Sequence, residues 1–295
     1  MIISIIMSVH NEELYIRNSI ESILKQKYKD FELIIIDDGS TDKTSEIISV
    51  YLKDPRIKFI KNRKIGKVEA FNIGFNNSKG HYICFFHGDD IMTNDSIVSR
   101  FNKIKKYSNI PVAIAGKLKT ISNTKKFDGI IIPRSNYATF SGQSIMFNRL
   151  LANKIFPIPK NLPNEDYWMR LHIESFAQKI LHSKEIVALY RIHENNSFLS
   201  TDTIMNFNQK NEKIHERRIK VGREFLNKYK DDLNKHFFEN LTNYIKAEEY
   251  RYNGNFLKLL FCNLKLKKKI NFIIESNYIF YKIKNIYPRF FIGRG

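Results

Sequence analysis

The stretch Phe31-Glu-Leu-Ile-Ile-Ile-Asp37-Asp38-Gly39-Ser40-Thr41-Asp42 decides the fold. Leu33–Ile36 is a short unbroken apolar run, the pattern of a strand covered on both faces rather than one. Two carboxylates and a glycine then end it in a turn. Ser40, Thr41 and Asp42 offer caps for a helix whose apolar positions are Ile47, Ile48, Tyr51 and Leu52.

Outward from this stretch the same grammar repeats. Ile2–Met7 is a strand candidate, and Asn11-Glu12-Glu13 is expected to open a helix with Ile16, Ile20, Ile23 and Leu24 on one face. Glu12 and Glu13 suit the positive end of such a helix. Ile57–Ile60 and Tyr82–Phe86 are further strands, with a polar helix around Ala70–Asn77 between them; Val112–Ala115 and Ile186–Tyr190 follow later. Alternating strands and helices predict an α/β fold, a mostly parallel sheet flanked by helices. Ligands of such sheets bind beyond the carboxyl ends of the strands.

The texture changes near residue 200. From 201 onward 20 Lys+Arg face 10 Asp+Glu in long helical patterns. After Gly254 nine basic residues and the single acid Glu275 are mixed with many Phe, Leu and Tyr. Two domains are therefore expected, 1–200 and a helical, basic C-terminal region at 201–295. The whole chain of 295 residues carries a formal charge of +19 with 43% hydrophobic residues, which excludes general disorder and favours an anionic partner. Cys84 and Cys262 form no C-x-x-C pair, so a disulfide framework is not expected and a reducing compartment is. Cys84 lies in an apolar run and reads as a buried thiol. The N-terminal run lacks a basic flank and reads as a strand rather than a signal peptide, and no run approaches the roughly 18 residues that span a bilayer. A cytoplasmic protein, peripheral on the inner face of the membrane, is the expectation.

Carboxylates gather where the strands end. Asp37-Asp38 closes the second, and Phe85-Phe86-His87-Gly88-Asp89-Asp90 closes the fourth. Each pair alone is ordinary turn or cap chemistry. Two pairs on one sheet edge repel unless a cation joins them or their roles differ, and hard oxygen donors suit Mg²⁺ or Mn²⁺. No G-x-x-x-x-G-K-[ST] occurs, and the only G-x-G is Gly293-Arg294-Gly295, so a P-loop and a dinucleotide fingerprint are both absent.

Taken in order, Ser8-Val-His10-Asn-Glu-Glu13 and Phe31–Asp42 resemble the opening of glycosyltransferase family 2, which has the GT-A fold, a Rossmann-like sheet of nucleotide-diphospho-sugar transferases. His87-Gly-Asp-Asp90 is similar to the family's DxD region, Asn164-Glu-Asp166-Tyr-Trp168 to its ED motif, and Tyr190-Arg-Ile-His193 to its late Tyr-Arg-x-His segment. The resemblance covers roughly residues 1–200. It implies a nucleotide-sugar donor, UDP-linked, with Asp38 on base or ribose and the Ser8–His10 backbone lining the base pocket. It implies Asp89 as ligand of Mn²⁺ or Mg²⁺, with Asp90 sharing that duty, and Asp166 as the general base of an inverting transfer. His87 replaces an Asp of many members and leaves a hydrogen bond to ribose. His193 suits either a metal or phosphate ligand or a structural residue; Lys67 suits either a nucleotide contact or solvent; Trp168 suits either a sugar face or the core. Ser141–Phe147 is similar to the part of the family that shapes the acceptor side.

The resemblance further implies a glycan or glycolipid acceptor, and the basic amphipathic stretch Phe256–Lys269 fits an anionic membrane surface. A processive synthase is not expected, since the Gln-x-x-Arg-Trp pattern is absent. Two rivals remain. A nucleic-acid-binding protein leaves the ordered carboxylates unexplained, so no nucleic acid is expected; a nucleotidyltransferase on the same fold lacks its usual Gly-rich basic start.

Overall fold

The unbroken apolar runs become the inner strands of a sheet of nine strands among the described residues. In the computed structural model these are residues 1–125, 127–135, 137–138, 140–163, 165–193 and 203–286. The chain divides into two compact units, Met1–Asn161 with His172–Glu194 and Leu162–Leu171 with Asn195–Gly295. The boundary expected at 200/201 lies outside the described residues.

Along the first part run β1 (Ile3–Val9), α1 (Ile16–Leu24), β2 (Phe31–Asp38), α2 (Thr44–Ser49), β3 (Ile57–Asn62), α3 (Lys67–Asn76) and β4 (Tyr82–His87). Then come β5 (Ile91–Met92), α4 (Ser96–Ile104), β6 (Val112–Ser122), β7 (Ile131–Ile132), β8 (Ile145–Asn148), α5 (Arg149–Ile155), α6 (Glu165–Phe176) and β9 (Lys179–Ile192). The order is β3-β2-β1-β4-β8-β6-β9-β5, with β7 on β6. Through β3-β2-β1-β4 every pairing is parallel, as the alternation of strands and helices predicts. Ile5, Ile6, Ile34, Ile35, Phe85 and Phe86 there are wholly buried, as strands covered on both faces require.

Beyond β4 the sheet is mixed. β8 runs antiparallel to both β4 and β6, and β9 returns parallel to β6. Register shifts near Lys117 bend the β6–β9 pair. The bend lets the far end of β9 pair antiparallel with the two-residue β5, Ile91 opposite Leu189. This crossing joins residues about a hundred positions apart, and no local pattern announces it.

The first helix starts later than expected. Asn11–Glu13 do not form its first turn; α1 begins at Ile16. Asn11 holds a left-handed φ of 56°, which a helix start does not allow. Its backbone and that of the next two residues bond sideways to the β2–α2 loop instead.

The second unit contains α7 (Ile204–Tyr229), α8 (Lys235–Tyr252), α9 (Phe256–Phe261), α10 (Leu266–Ser276) and α11 (Tyr278–Ile286), together with the first turns of α6. Trp168 is fully buried there, edge-on to Phe225 at 5.6 Å and beside Tyr229. Of its two readings the structure gives core packing. No helix of the described residues is long and apolar enough to cross a membrane.

A buried ionic cluster ties α7 to α8. Glu248 is fully buried and meets His215 at 2.6 Å, Arg218 at 2.9 Å and Arg251 at 3.3 Å. Burial alone would raise its carboxyl, but the His215 hydrogen bond and the two guanidinium charges override it and hold it at about 2. A carboxyl bound to fewer protons folded than unfolded stabilises the fold above its unfolded pKa of about 4.5, by roughly 3 kcal/mol. That contribution drains away as pH falls from about 4.5 to about 2. Glu248→Gln is therefore expected to lower the unfolding free energy at neutral pH by roughly 3 kcal/mol. In urea melts followed against pH, wild type and variant should converge toward pH 2; a constant difference would remove the carboxylate's role.

Candidate active site

The parallel register of β2, β1 and β4 sets the loops after these strands side by side. Ser8 pairs with Ile36 on one side and His87 on the other, and Val9 lies opposite Asp37. Ser8, His10, Asp38 and the His87–Asp90 loop therefore share one carboxyl edge, where a doubly wound sheet binds its ligands.

Two of these loops are stitched together. The Asn11 and Glu12 amides donate to Ser40 Oγ at 2.9 Å and Thr44 Oγ1 at 2.7 Å, and the Glu13 amide donates to Asp42 Oδ2 at 3.1 Å. In return the Thr41 amide donates to Asn11 Oδ1 at 2.9 Å, and the Lys43 amide to Glu13 Oε2 at 3.0 Å. Asp37, wholly buried, closes the turn by accepting from the Ser40 amide and the Ser45 hydroxyl. Gly39, at φ 77°, is required here because a Cβ would lie 2.7 Å from the Lys64 amide nitrogen.

Asp38 is bound to the protein itself. Its Oδ1 accepts from the Ile65 amide at 2.7 Å, and both oxygens accept from the Gly66 amide, at 3.1 and 3.0 Å. The carboxylate thus pins the exposed segment Arg63-Lys64-Ile65-Gly66 that leads into α3. Lys67 follows at the first position of that helix, its ammonium 5.7 Å from the centre of the Phe71 ring. Lys67 is exposed, and its charge acts on His87.

His87, Asp89 and Asp90 offer ligand atoms that all lie within 4.8 Å of one another. His87 Nδ1 is 3.8 Å from Asp90 Oδ2, and its buried Nε2 has no hydrogen-bond partner among the described residues. Burial, then the Lys67 charge, holds the imidazole well below its usual range, so it is neutral and fit to ligate. Asp90 is fully buried, accepting from the Arg191 amide at 2.8 Å through Oδ1 and from the Gln143 side chain at 2.9 Å through Oδ2. Burial, then the neighbouring Asp89, pushes its carboxyl well upward. Asp89 reaches solvent more than Asp90 does; its Oδ2 is 3.3 Å from His193 Nε2, and its carbonyl accepts from Arg191 Nε at 2.8 Å. The His193 ring lies tilted 5.1 Å from that of Tyr15, over which the Arg191 guanidinium also lies.

Glu12, which the sequence suggests only as a helix-end residue, belongs to this edge. Its carboxyl is pushed up to about 8, by burial first and then by Asp89 and Asp42. A Cβ on Gly88 would meet Val9 at 2.9 Å and Glu12 Cγ at 3.0 Å. Gly88 therefore makes room for the protein's own first loop. Arg191 and Gln143 were also missed as anchors of the carboxylates, although both lie in quoted motifs. A chain of carboxylates this close needs protons or a cation, and a neutral histidine with an open nitrogen beside two aspartates is a donor set that fits a divalent ion. His10 lies at the same edge, its Nδ1 without a partner among the described residues. Asp166 stands in the first turn of α6, in the stretch Leu162–Leu171 of the second unit, and is described there by itself.

A curled sheet with carboxylates at the end of its fourth strand defines a GT-A glycosyltransferase. The chain belongs to glycosyl transferase family 2, whose family model matches residues 4–156. It is 33% identical over 228 residues to an uncharacterized glycosyltransferase of Haemophilus influenzae, covering 72% of this chain and 90% of that one. The fold is similar to S. aureus TarS 1-349 in complex with UDP-GlcNAc, with a TM-score of 0.64 at 18% identity over 94% of this chain and 80% of that one. It is also similar to the mannosyltransferase PcManGT from Pyrobaculum calidifontis in complex with GDP-Man and Mn²⁺, with a TM-score of 0.59 at 12% identity over 97% and 87% of the two chains.

Because Asp38 pins a segment rich in basic residues, Asp38→Ala should free it. Hydrogen bonds to a charged acceptor contribute about 1.5–3 kcal/mol each, so tryptic cleavage at Arg63 and Lys64 is expected to rise by about tenfold or more. Peptide mapping by mass spectrometry reads this directly, and unchanged cleavage would refute the clamp.

Proposed function

We propose that this chain transfers a sugar, with inversion, from a nucleotide-diphosphate donor, UDP-linked, to a hydroxyl of a glycan or glycolipid acceptor at the cytoplasmic face of the inner membrane. The observation that carries the reading is the His87–Asp89–Asp90 group at the carboxyl end of β4. TarS with UDP-GlcNAc and PcManGT with GDP-Man and Mn²⁺, both similar in fold, support it.

Mn²⁺ or Mg²⁺ would be held by Asp89, with Asp90 and His193 as the further ligands expected from the sequence, and His87 joins them as a candidate. Such an ion offsets charge on a leaving diphosphate. The chain's own groups do the rest. Ser8, His10 and Asp38 lie along the edge that receives base and ribose, Asp38 by fixing the 63–66 segment. Lys67 adds positive charge on the phosphate side. Asp166 takes the proton of the acceptor hydroxyl as its oxygen bonds to the anomeric carbon, and the bond from that carbon to the diphosphate oxygen breaks on the opposite face. The resemblance of Asn164–Trp168 to the ED motif supports that role, and a positioned base contributes on the order of 10²–10⁴-fold.

Two measurements test the reading. Asp166→Asn should bind sugar nucleotides as wild type does, by calorimetry, while turnover falls at least about a hundredfold; full turnover would remove the base. EDTA should abolish transfer and Mn²⁺ or Mg²⁺ restore it, whereas transfer indifferent to chelation would remove the ion.

A further inference from the structure

The short helices at the C-terminal end are apolar on two faces. Inward, Leu259 and Phe272 are buried against Ala247 and pack with Tyr244 and Cys262. That contact accounts for their inner stripe. Outward, where a helix lying in water is polar, they present Leu257 at 76% exposure, Phe261 at 87%, Leu266 at 70% and Ile279 at 65%. Of the large apolar side chains exposed among the described residues, eight of twenty lie in residues 256–286, so they are concentrated in this stretch of the chain.

Charge identifies what fits it. Lys258, Lys265, Lys267 and Lys268 are exposed between these apolar groups. The one acid after Gly254, Glu275, lies 3.8 Å from Arg251. α9 and α10 act as one piece: the Lys269 ammonium donates to the Leu260 carbonyl at 2.6 Å, and Leu259 shares a cluster with Phe272. Apolar residues interleaved with lysines, on helices too short to span, are the pattern of a segment that lies in the plane of a membrane interface.

We propose that α9–α10 dock this glycosyltransferase on an anionic lipid bilayer. Phe261 and Leu266 enter the acyl boundary, and Lys265, Lys267 and Lys268 meet headgroup phosphates. The proposal deepens the glycolipid reading of the acceptor and rests on it for its purpose, but the lipid contact is a property of these helices alone. Each Lys near an anionic leaflet adds attraction that salt screens.

The test uses the full chain and sedimentation with vesicles. Vesicles with about one-third phosphatidylglycerol should retain it at low salt, and pure phosphatidylcholine vesicles should not. Phe261→Ser with Leu266→Ser, and separately the triple change of Lys265, Lys267 and Lys268 to Glu, should each weaken retention by about tenfold or more. For the serine pair, thermal midpoints and UDP-sugar hydrolysis without lipid should stay at wild-type values, because Phe261 and Leu266 are exposed. Equal retention on both vesicle types, or wild-type retention of either variant, would overturn the proposal. So would a concentration-dependent dimer that the serine pair abolishes, since a second copy would then cover this face. Retention without any hydrolysis of a nucleotide sugar would instead sink the catalytic reading and leave the docking surface standing.

Discussion

The reciprocal hydrogen bonds between Asn11–Glu13 and Ser40–Thr44 are the constraint on which the site depends. β1 and β2 are parallel neighbours, so each ends in its own loop, and nothing in the sheet holds one loop to the other. The stitch does so with backbone amides on both sides and side-chain oxygens as acceptors. Two of those acceptors are carboxylates, the stronger kind. The result is a fixed rim at the carboxyl edge. Glu12 is carried on it toward Asp89, and Gly88 can pack against Glu12 only because that rim stays where it is. Asn11 holds its left-handed turn to make this possible.

This changes what the family's opening motifs mean physically. Of the residues that carry the resemblance, Asn11, Glu13, Asp37, Ser40, Thr41 and Asp42 are spent on the loops themselves. Even Asp38, expected on the nucleotide, uses its oxygens on the Ile65 and Gly66 amides. A donor site of this type is first a problem of holding loops, and most of its characteristic polar residues solve that problem.

The strands were legible because Leu33–Ile36 and Tyr82–Phe86 are apolar without alternation, and the carboxylates after them were legible as strand-end residues. What failed was local grammar applied where tertiary bonds win. Asn11-Glu-Glu reads as a helix start, but its amides find better acceptors across the edge, so α1 begins at Ile16. Trp168 fitted a sugar face and the core equally, and only the aromatic packing around Phe225 decides between them. The Asp90–Arg191 contact was beyond reach. It depends on the bent β6–β9 pair and a two-residue strand, neither of which leaves a periodic trace.

The acidity of the site follows from the same rim. His87 stands where many members of the family it resembles carry a carboxylate, and from sequence alone the site reads one negative charge short. Glu12 adds a carboxyl from another loop, and Glu12, Asp89 and Asp90 act on one another through a poorly solvated edge. Three carboxylates there cannot all ionise without help, and burial already pushes the Glu12 carboxyl to about 8. A proton or a cation must relieve them. A divalent ion held there would displace protons as it binds, which would couple metal affinity to pH. His87 sharpens that exchange, because a neutral imidazole adds a donor without adding repulsion.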